Sequence, residues 1–274
     1  MSLKTILVHL ADDEHHHERL ETAGRLARQH GAHIVALYVP TPIGMPEEIT
    51  GRGASAAFLS EATAAARDKS EALSKVYAQF CRSHGITLDW IVQEGDHLDL
   101  LAQHAHAADL VVVSQPIVKT LEDRLRLRLA EEITMVAGLP VLLLPEGEVP
   151  ETLGRRVLVA WKGTREAVRA VRDALPFLKA ADGVAVLSVG PAVQDALSER
   201  EVVAYLKRHD VAAEPHKVMD DNDVGQTILD NAAFHRCDLI VMGAYGHSRL
   251  REIVMGGVTR YILYNTAIPV LMSH

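Results

Sequence analysis

The sequence predicts two tandem doubly wound α/β domains. Three observations carry this. Strand-like apolar runs alternate with helix-like amphipathic stretches along the whole chain. Most of the strand runs are continuously apolar and β-branched, as a parallel sheet covered on both faces requires. The chain also repeats itself. Asp109-Leu-Val-Val-Val113 returns as Asp238-Leu-Ile-Val-Met242, and Leu139-Pro-Val-Leu-Leu-Leu144 returns as Ile268-Pro-Val-Leu-Met272, each pair 129 residues apart.

The first strands match as well. Ile6-Leu-Val-His-Leu10 stands beside Val157-Leu-Val-Ala-Trp161, at a shift of 151 residues. The first half therefore carries about twenty additional residues, expected around Pro40 to Ala57, where Pro and Gly cluster. In the second half the pattern predicts a strand over 155–161 and a helix over 165–178. That helix puts Ala167, Val171, Ala174 and Leu178 on one stripe, with Arg165, Arg169 and Arg172 outside. A strand follows over 184–189, a helix near 194–208, a weaker strand near 211–218 and a helix over 223–235. The strand 238–242, a helix starting near Gly257 and a strand over 269–272 complete the domain. The first half repeats this order and ends at Leu144. The polar, Pro- and Gly-containing stretch from Pro145 to Gly154 is the expected linker. Domains of 1–146 and 155–274 follow. Each final strand is a candidate edge, and pairing the two edges would satisfy both. The expected result is a pseudo-dimer within one chain, and a homodimer of the whole chain is compatible with it.

Composition narrows the function. Of 274 residues, 48% are hydrophobic and 23% charged, as in a soluble globular protein. No run reaches the ~18 apolar residues of a membrane span, and the N-terminus lacks the apolar region of a signal peptide. Only Cys81 and Cys237 occur, in no CxxC, which fits a cytoplasmic setting. A net charge of −8 and an aromatic content of 4% argue against a nucleic-acid partner. An anionic ligand would therefore need a local positive site.

The strongest candidate for such a site is Gly243-Ala-Tyr-Gly246, followed after nine residues by Gly256-Gly257. The first pair ends an apolar strand, and the second opens a helix. Glycines there let the backbone come close to a ligand. A helix start offers free N–H groups and a favourable dipole to phosphate. His247, Arg249, Arg251 and Arg260 add positive charge. The first half has lost these glycines. At the 129-residue shift, Gly243, Gly246, Gly256 and Gly257 become Ser114, Ile117, Leu127 and Arg128, and Thr259 becomes Ala130. Pro116 removes a further N–H. The first domain is expected to bind no nucleotide in this way. Arg124, Arg126 and Arg128 read as a solvated face on a helix over 120–137.

The Gly-x-x-Gly, nine-residue, Gly spacing resembles the nucleotide motif of the universal stress protein family. The continuation Gly257-Val-Thr-Arg-Tyr-Ile-Leu and the final Ile268-Pro-Val-Leu-Met resemble that family's ending, and the resemblance covers the chain as two copies. It implies Rossmann-like domains of the adenine nucleotide alpha hydrolase type. By that resemblance the ligand is an adenine nucleotide, ATP above all, with or without Mg²⁺. The implied role is stress-response regulation. Met242 and Gly243 would lie near base and ribose, and Gly246, Gly256, Gly257 and Val258 would meet phosphates through backbone N–H groups. Ala160, Lys162 and Val189 complete the expected set. Two positions depart from the family pattern. Gly257 stands where a hydroxyl residue is usual, with Thr259 as a substitute. Lys162 stands where an Asp is usual, and Lys cannot accept a hydrogen bond. Trp161 beside it reads as core.

Other constellations carry less. Asp12-Asp-Glu-His-His-His-Glu18 reads as a solvated loop and helix start rather than a metal site, because adjacent histidines do not face one point. His104 and His106 read as exposed helix residues. No Walker A, Gly-x-Ser-x-Gly or His-Glu-x-x-His motif is present, so no catalytic residue is assigned. Asp221, Asp223 and Glu252 are the candidates to assist slow ATP hydrolysis. The alternatives to a nucleotide-binding regulator are thus a slow ATPase and an interaction module without nucleotide.

Overall fold

The computed structural model describes residues 3–40, 53–115, 129–147, 152–191, 198–219, 223–246 and 257–274, with the side chains of 53–59 outside that description. The chain divides into two compact units, Ser2–Ala137 and Gly138–His274.

The first unit holds four parallel strands: β1 (Thr5–Leu10), β2 (His33–Tyr38), β3 (Leu88–Val92) and β4 (Leu110–Ser114), in the order β3-β2-β1-β4. Strands β1 and β4 are buried almost throughout, which explains their unbroken apolar sequence. The described helices are α1 (His16–His30), α2 (Gly53–Ser83), α3 (His97–Ala105) and α4 (Leu129–Val136). The 31-residue α2 takes up part of the extra length of this half, beyond the Pro40 to Ala57 window expected from composition. The expected helix over 120–137 is described only from Leu129 onward.

The second unit contains β5 (Val141–Leu144), β6 (Arg156–Ala160), β7 (Gly183–Val189), β8 (Ala213–Val218), β9 (Leu239–Gly243) and β10 (Val270–Ser273), in the order β5-β10-β9-β6-β7-β8. All its pairs are parallel except β5 with β10, the last strands of the two repeats, which run antiparallel. The two expected edges thus pair with each other. The edge strand β8 carries Pro215 and alternates in exposure, a pattern that discourages further strand pairing.

The helices of this unit are α5 (Arg165–Asp173), α6 (Leu175–Leu178), α7 (Glu199–Lys207), α8 (Val224–Phe234) and α9 (Gly257–Asn265). The single helix expected over 165–178 is two. Pro176 has no N–H to continue the ladder and sits in the first turn of α6, after Ala174 closes α5. The stripe of α5 and α6 nevertheless faces the core, with Ala167, Val171, Ala174 and Leu178 all buried. Among the described residues no helix is long and apolar enough to cross a membrane.

Candidate functional site

The chain leaves β6 toward β7 and β8 on one side, then returns to β9 on the other side of β6. Such a reversal opens a crevice at the carboxyl ends of the strands. Here it is a cavity of about 610 Å³, within the range of small-molecule sites. Its floor is formed by the ends of three adjacent strands: Ala160 of β6 with Trp161 just after it, Leu187 to Val189 from β7, and Met242 and Gly243 from β9. Trp161 is buried, as expected for core, and it also lines the cavity.

The glycines have separate jobs. Gly243 packs directly on the start of α5, with an added Cβ only 2.5 Å from the Ala167 nitrogen and 2.6 Å from the Glu166 carbonyl carbon. Real Cβ atoms do not approach backbone so closely, so only glycine fits. Two residues on, Tyr245 turns the chain in the left-handed region at φ 57°, a strained conformation for a bulky residue. The loop is tied to β10 by Ala244 N–H donating to the Ser273 carbonyl at 2.9 Å. Gly257 opens α9 and lines the cavity, with nothing among the described residues within 4 Å of a Cβ placed there. Val258 and Thr259 follow on the same wall. The Thr259 hydroxyl lies 3.5 Å from the Tyr245 N–H, so it faces the β9 loop.

Several helices start at this edge. Three of them are capped by their own chain. The Thr164 hydroxyl accepts from Ala167 N–H at 3.3 Å, Ser198 and Glu201 form a capping box on α7, and the Asp223 carboxylate accepts from Gln226 N–H at 3.0 Å. Asp223, considered above as a helper in hydrolysis, thus caps α8.

The cavity carries charge of both signs. Lys162 after β6, Lys217 near the end of β8 and Glu199 in the first turn of α7 all line it. Glu166 lies beneath the loop, its Oε2 3.0 Å from a Cβ placed on Gly246. Burial pushes the Glu166 carboxyl up. Hydrogen bonds to its own backbone and to Thr164, together with the Arg165 guanidinium, outweigh this and hold it below its ordinary value of 4.5. Glu166 is therefore an anion at neutral pH.

Of the residues expected from sequence, Ala160, Lys162, Val189, Met242, Gly243, Gly246, Gly257, Val258 and Thr259 line this one cavity. Gly256, His247, Arg249, Arg251, Glu252 and Asp221 fall outside the described residues. Sequence reasoning missed Lys217 and Glu199. Both sit in segments with weak periodicity, and only the strand order brings them to the cavity. It also missed Thr164, although Thr before Arg-Glu-Ala-Val is a cap signal.

The corresponding place in the first unit is built differently. Buried Arg19 of α1 donates to the Ser114 hydroxyl at 2.7 Å and to the Asp13 carboxylate at 2.6 Å. Ser114 is the counterpart of Gly243, so this strand end is occupied by an internal ion pair. Beside it, His9 Nε2 and His97 Nδ1 are 2.8 Å apart in a buried pair. Pro116, Ile117, Arg124, Arg126, Leu127 and Arg128 lie outside the described residues. Among those described, no cluster of His, Cys, Asp and Glu is arranged to hold a metal ion, which includes the Asp12 to Glu18 segment. His104 is half-buried and hydrogen-bonded to Gln93 at 3.2 Å, not an exposed helix residue as expected.

Comparison with known proteins identifies the family of the two repeats. The model of the universal stress protein family matches the chain twice, over residues 2–145 and 154–274. A universal stress protein of Synechocystis, Slr1230, is 56% identical over 34 residues, which is 12% of this chain and 12% of that protein. Among solved structures, a universal stress protein from Archaeoglobus fulgidus superposes with a TM-score of 0.74 at 17% identity, covering 98% of this chain and 97% of that one. One from Pseudomonas aeruginosa, named in its structure as a putative universal stress protein, gives 0.58 at 15% identity over 99% and 93%. At these identities the structural likeness concerns the fold.

Proposed function

The chain belongs to the universal stress protein family and carries two copies of its domain, and from that premise we propose that the second copy binds an adenine nucleotide, ATP above all, and the first is a partner without such a site. The stress-response role of the family would then be exercised through nucleotide occupancy rather than rapid chemistry. One observation carries the reading: the glycine loop after β9 and the start of α9 wall a single cavity at the switch point of the sheet. Its apolar floor of Ala160, Val189 and Met242 suits a base. Its rim of Gly246, Gly257 and Val258 supplies backbone N–H groups suited to phosphate. In the first copy, Arg19 and Asp13 fill the equivalent strand end with protein.

Isothermal titration of the whole protein with ATP, with and without Mg²⁺, tests this. Binding at one site per chain is expected. Gly257→Asp adds a carboxylate at the start of α9, where no described residue lies within 4 Å of the new Cβ, and it should abolish binding while leaving the unfolding temperature in place. Absence of binding by the native chain, or full binding by this variant, would overturn the proposal.

A further inference from the structure

An imidazole holds the glycine loop from the side of β10. His274 follows β10, and its Nδ1 lies 3.0 Å from the Ala244 carbonyl oxygen. A carbonyl oxygen only accepts, so Nδ1 carries the proton and donates. His274 is itself anchored to α5. Arg169 donates to its main-chain oxygen at 2.9 Å, and the neighbouring Ser273 hydroxyl donates to the Asp173 carboxylate at 2.8 Å. The first turn of the same helix packs against Gly243.

The Ala244 carbonyl and the Tyr245 N–H belong to one trans peptide plane, so they point in opposite directions. Holding the carbonyl toward His274 aims the N–H the other way, where the Thr259 hydroxyl of α9 lies at 3.5 Å. Tyr245 and Thr259 both line the cavity. This plane is not in its locally relaxed orientation. Tyr245 stands at φ 57°, which a side chain disfavours. Turning the plane over would bring that φ to about −120°, in the ordinary extended region. The same turn would swing the carbonyl oxygen toward Thr259 and the start of α9. It would also take the carbonyl of the fully buried Ala244 away from its donor.

Resting on the proposed nucleotide site, we propose that His274 is a positioning residue for it. Its imidazole locks the Ala244–Tyr245 peptide with the N–H toward Thr259. The Thr259 oxygen then accepts from the loop, and its hydroxyl hydrogen is turned to the phosphate at Gly257. Without the lock the relaxed, flipped peptide presents a carbonyl oxygen to the phosphate, and binding weakens.

The test titrates ATP into the whole protein with substitutions at His274. Asn places an amide N–H where Nδ1 stands, whereas Leu fills the space without a donor. His274→Leu should weaken binding about tenfold, and His274→Asn by less than about twofold. The same comparison is made in a Tyr245→Gly background, where a left-handed φ costs little. There His274→Leu should weaken binding by about twofold or less. General support of the fold would instead give equal losses in both backgrounds. The inference fails, and the nucleotide site stands, if the native chain binds ATP and any of three results appears: His274→Leu binds as tightly as the native chain, His274→Asn is as weak as His274→Leu, or the loss is undiminished in the Tyr245→Gly background. If the native chain binds no adenine nucleotide, the site reading fails and takes this inference with it.

Discussion

Gly243 lies so close to Ala167 that a methyl group on it would sit 2.5 Å from the Ala167 amide nitrogen. The contact joins the end of β9 to the first turn of α5, and both elements wall the cavity. Gly243→Ala should therefore cost about 1–3 kcal/mol of stability, because backbone rather than a movable side chain must yield. Gly257→Ala, where the new Cβ meets no described residue within 4 Å, should change stability by less than about 0.5 kcal/mol. Chemical denaturation followed by Trp161 fluorescence in a Trp90→Phe background reads the second unit alone. Equal effects of the two substitutions would show that the strand–helix contact is looser than described.

Asp238 makes a different kind of link. Its carboxylate accepts from the backbone N–H groups of Gly154, Arg155 and Arg156 at 3.1, 3.2 and 2.9 Å. It thereby holds the entry of β6 against β9. Its repeat partner Asp109 does the same for Lys4 and Thr5 at 2.7 and 2.9 Å, in a more exposed setting. Asp238→Ala should cost about 2–3 kcal/mol, since three amides in a buried to half-buried setting lose a charged acceptor. Asp109→Ala should cost about 1 kcal/mol, because water can replace the carboxylate there. Urea unfolding of each variant checks the order; a larger loss from Asp109→Ala would contradict it.

These two aspartates show why so much of the fold could be read from the chain. Each marks the point where a repeat re-enters its sheet, so identical spacing in the two halves fixed the order of the last elements. The glycines of the cavity were legible for the same reason, since their absence from the first copy set them apart. Lys217 was not. Its strand is an edge with alternating exposure, and its place in the cavity depends on β8 lying two strands from β6. Arg19 was hidden too. On an amphipathic helix an arginine reads as solvent-facing, and only Asp13 and Ser114 together make burial of its charge tolerable. The break at Ala174 could have been read from Pro176, a residue that ends helical ladders.

Glu166 sets the electrostatics beneath the glycine loop. It is an anion next to Gly246, and any phosphate held by the loop would feel it. Repulsion over such a distance amounts to roughly 1 kcal/mol at an effective dielectric between protein and water. Glu166→Gln keeps the size and one acceptor. It should tighten ATP binding without metal by about fivefold. The gain should shrink with Mg²⁺ present, because the cation already neutralises the phosphates. Titrations of both proteins, with EDTA and with Mg²⁺, would show it; weaker metal-free binding by Glu166→Gln would mean that the carboxylate helps the ligand.

The buried imidazoles of the first unit predict a pH response of that unit itself. Burial, then the Arg19 guanidinium, then His97 hold His9 well below its ordinary value of 6.5. The folded unit keeps His9 neutral where the unfolded chain would protonate it. The stabilisation is therefore complete above about pH 6.5 and declines as the pH falls toward the lowered folded value, by at most about 1.4 kcal/mol per pH unit for this one group. His9→Gln retains a polar group facing His97 and removes the titration at position 9. Hydrogen exchange of β1 peptides, corrected for intrinsic rates, should lose protection between pH 7 and pH 5 in the native chain and lose less in His9→Gln. The second unit provides the internal control, since β9 and β10 contain no histidine and their protection should change less over the same range. A native β1 as well protected at pH 5 as at pH 7 would show that the His9–His97 contact accommodates a proton.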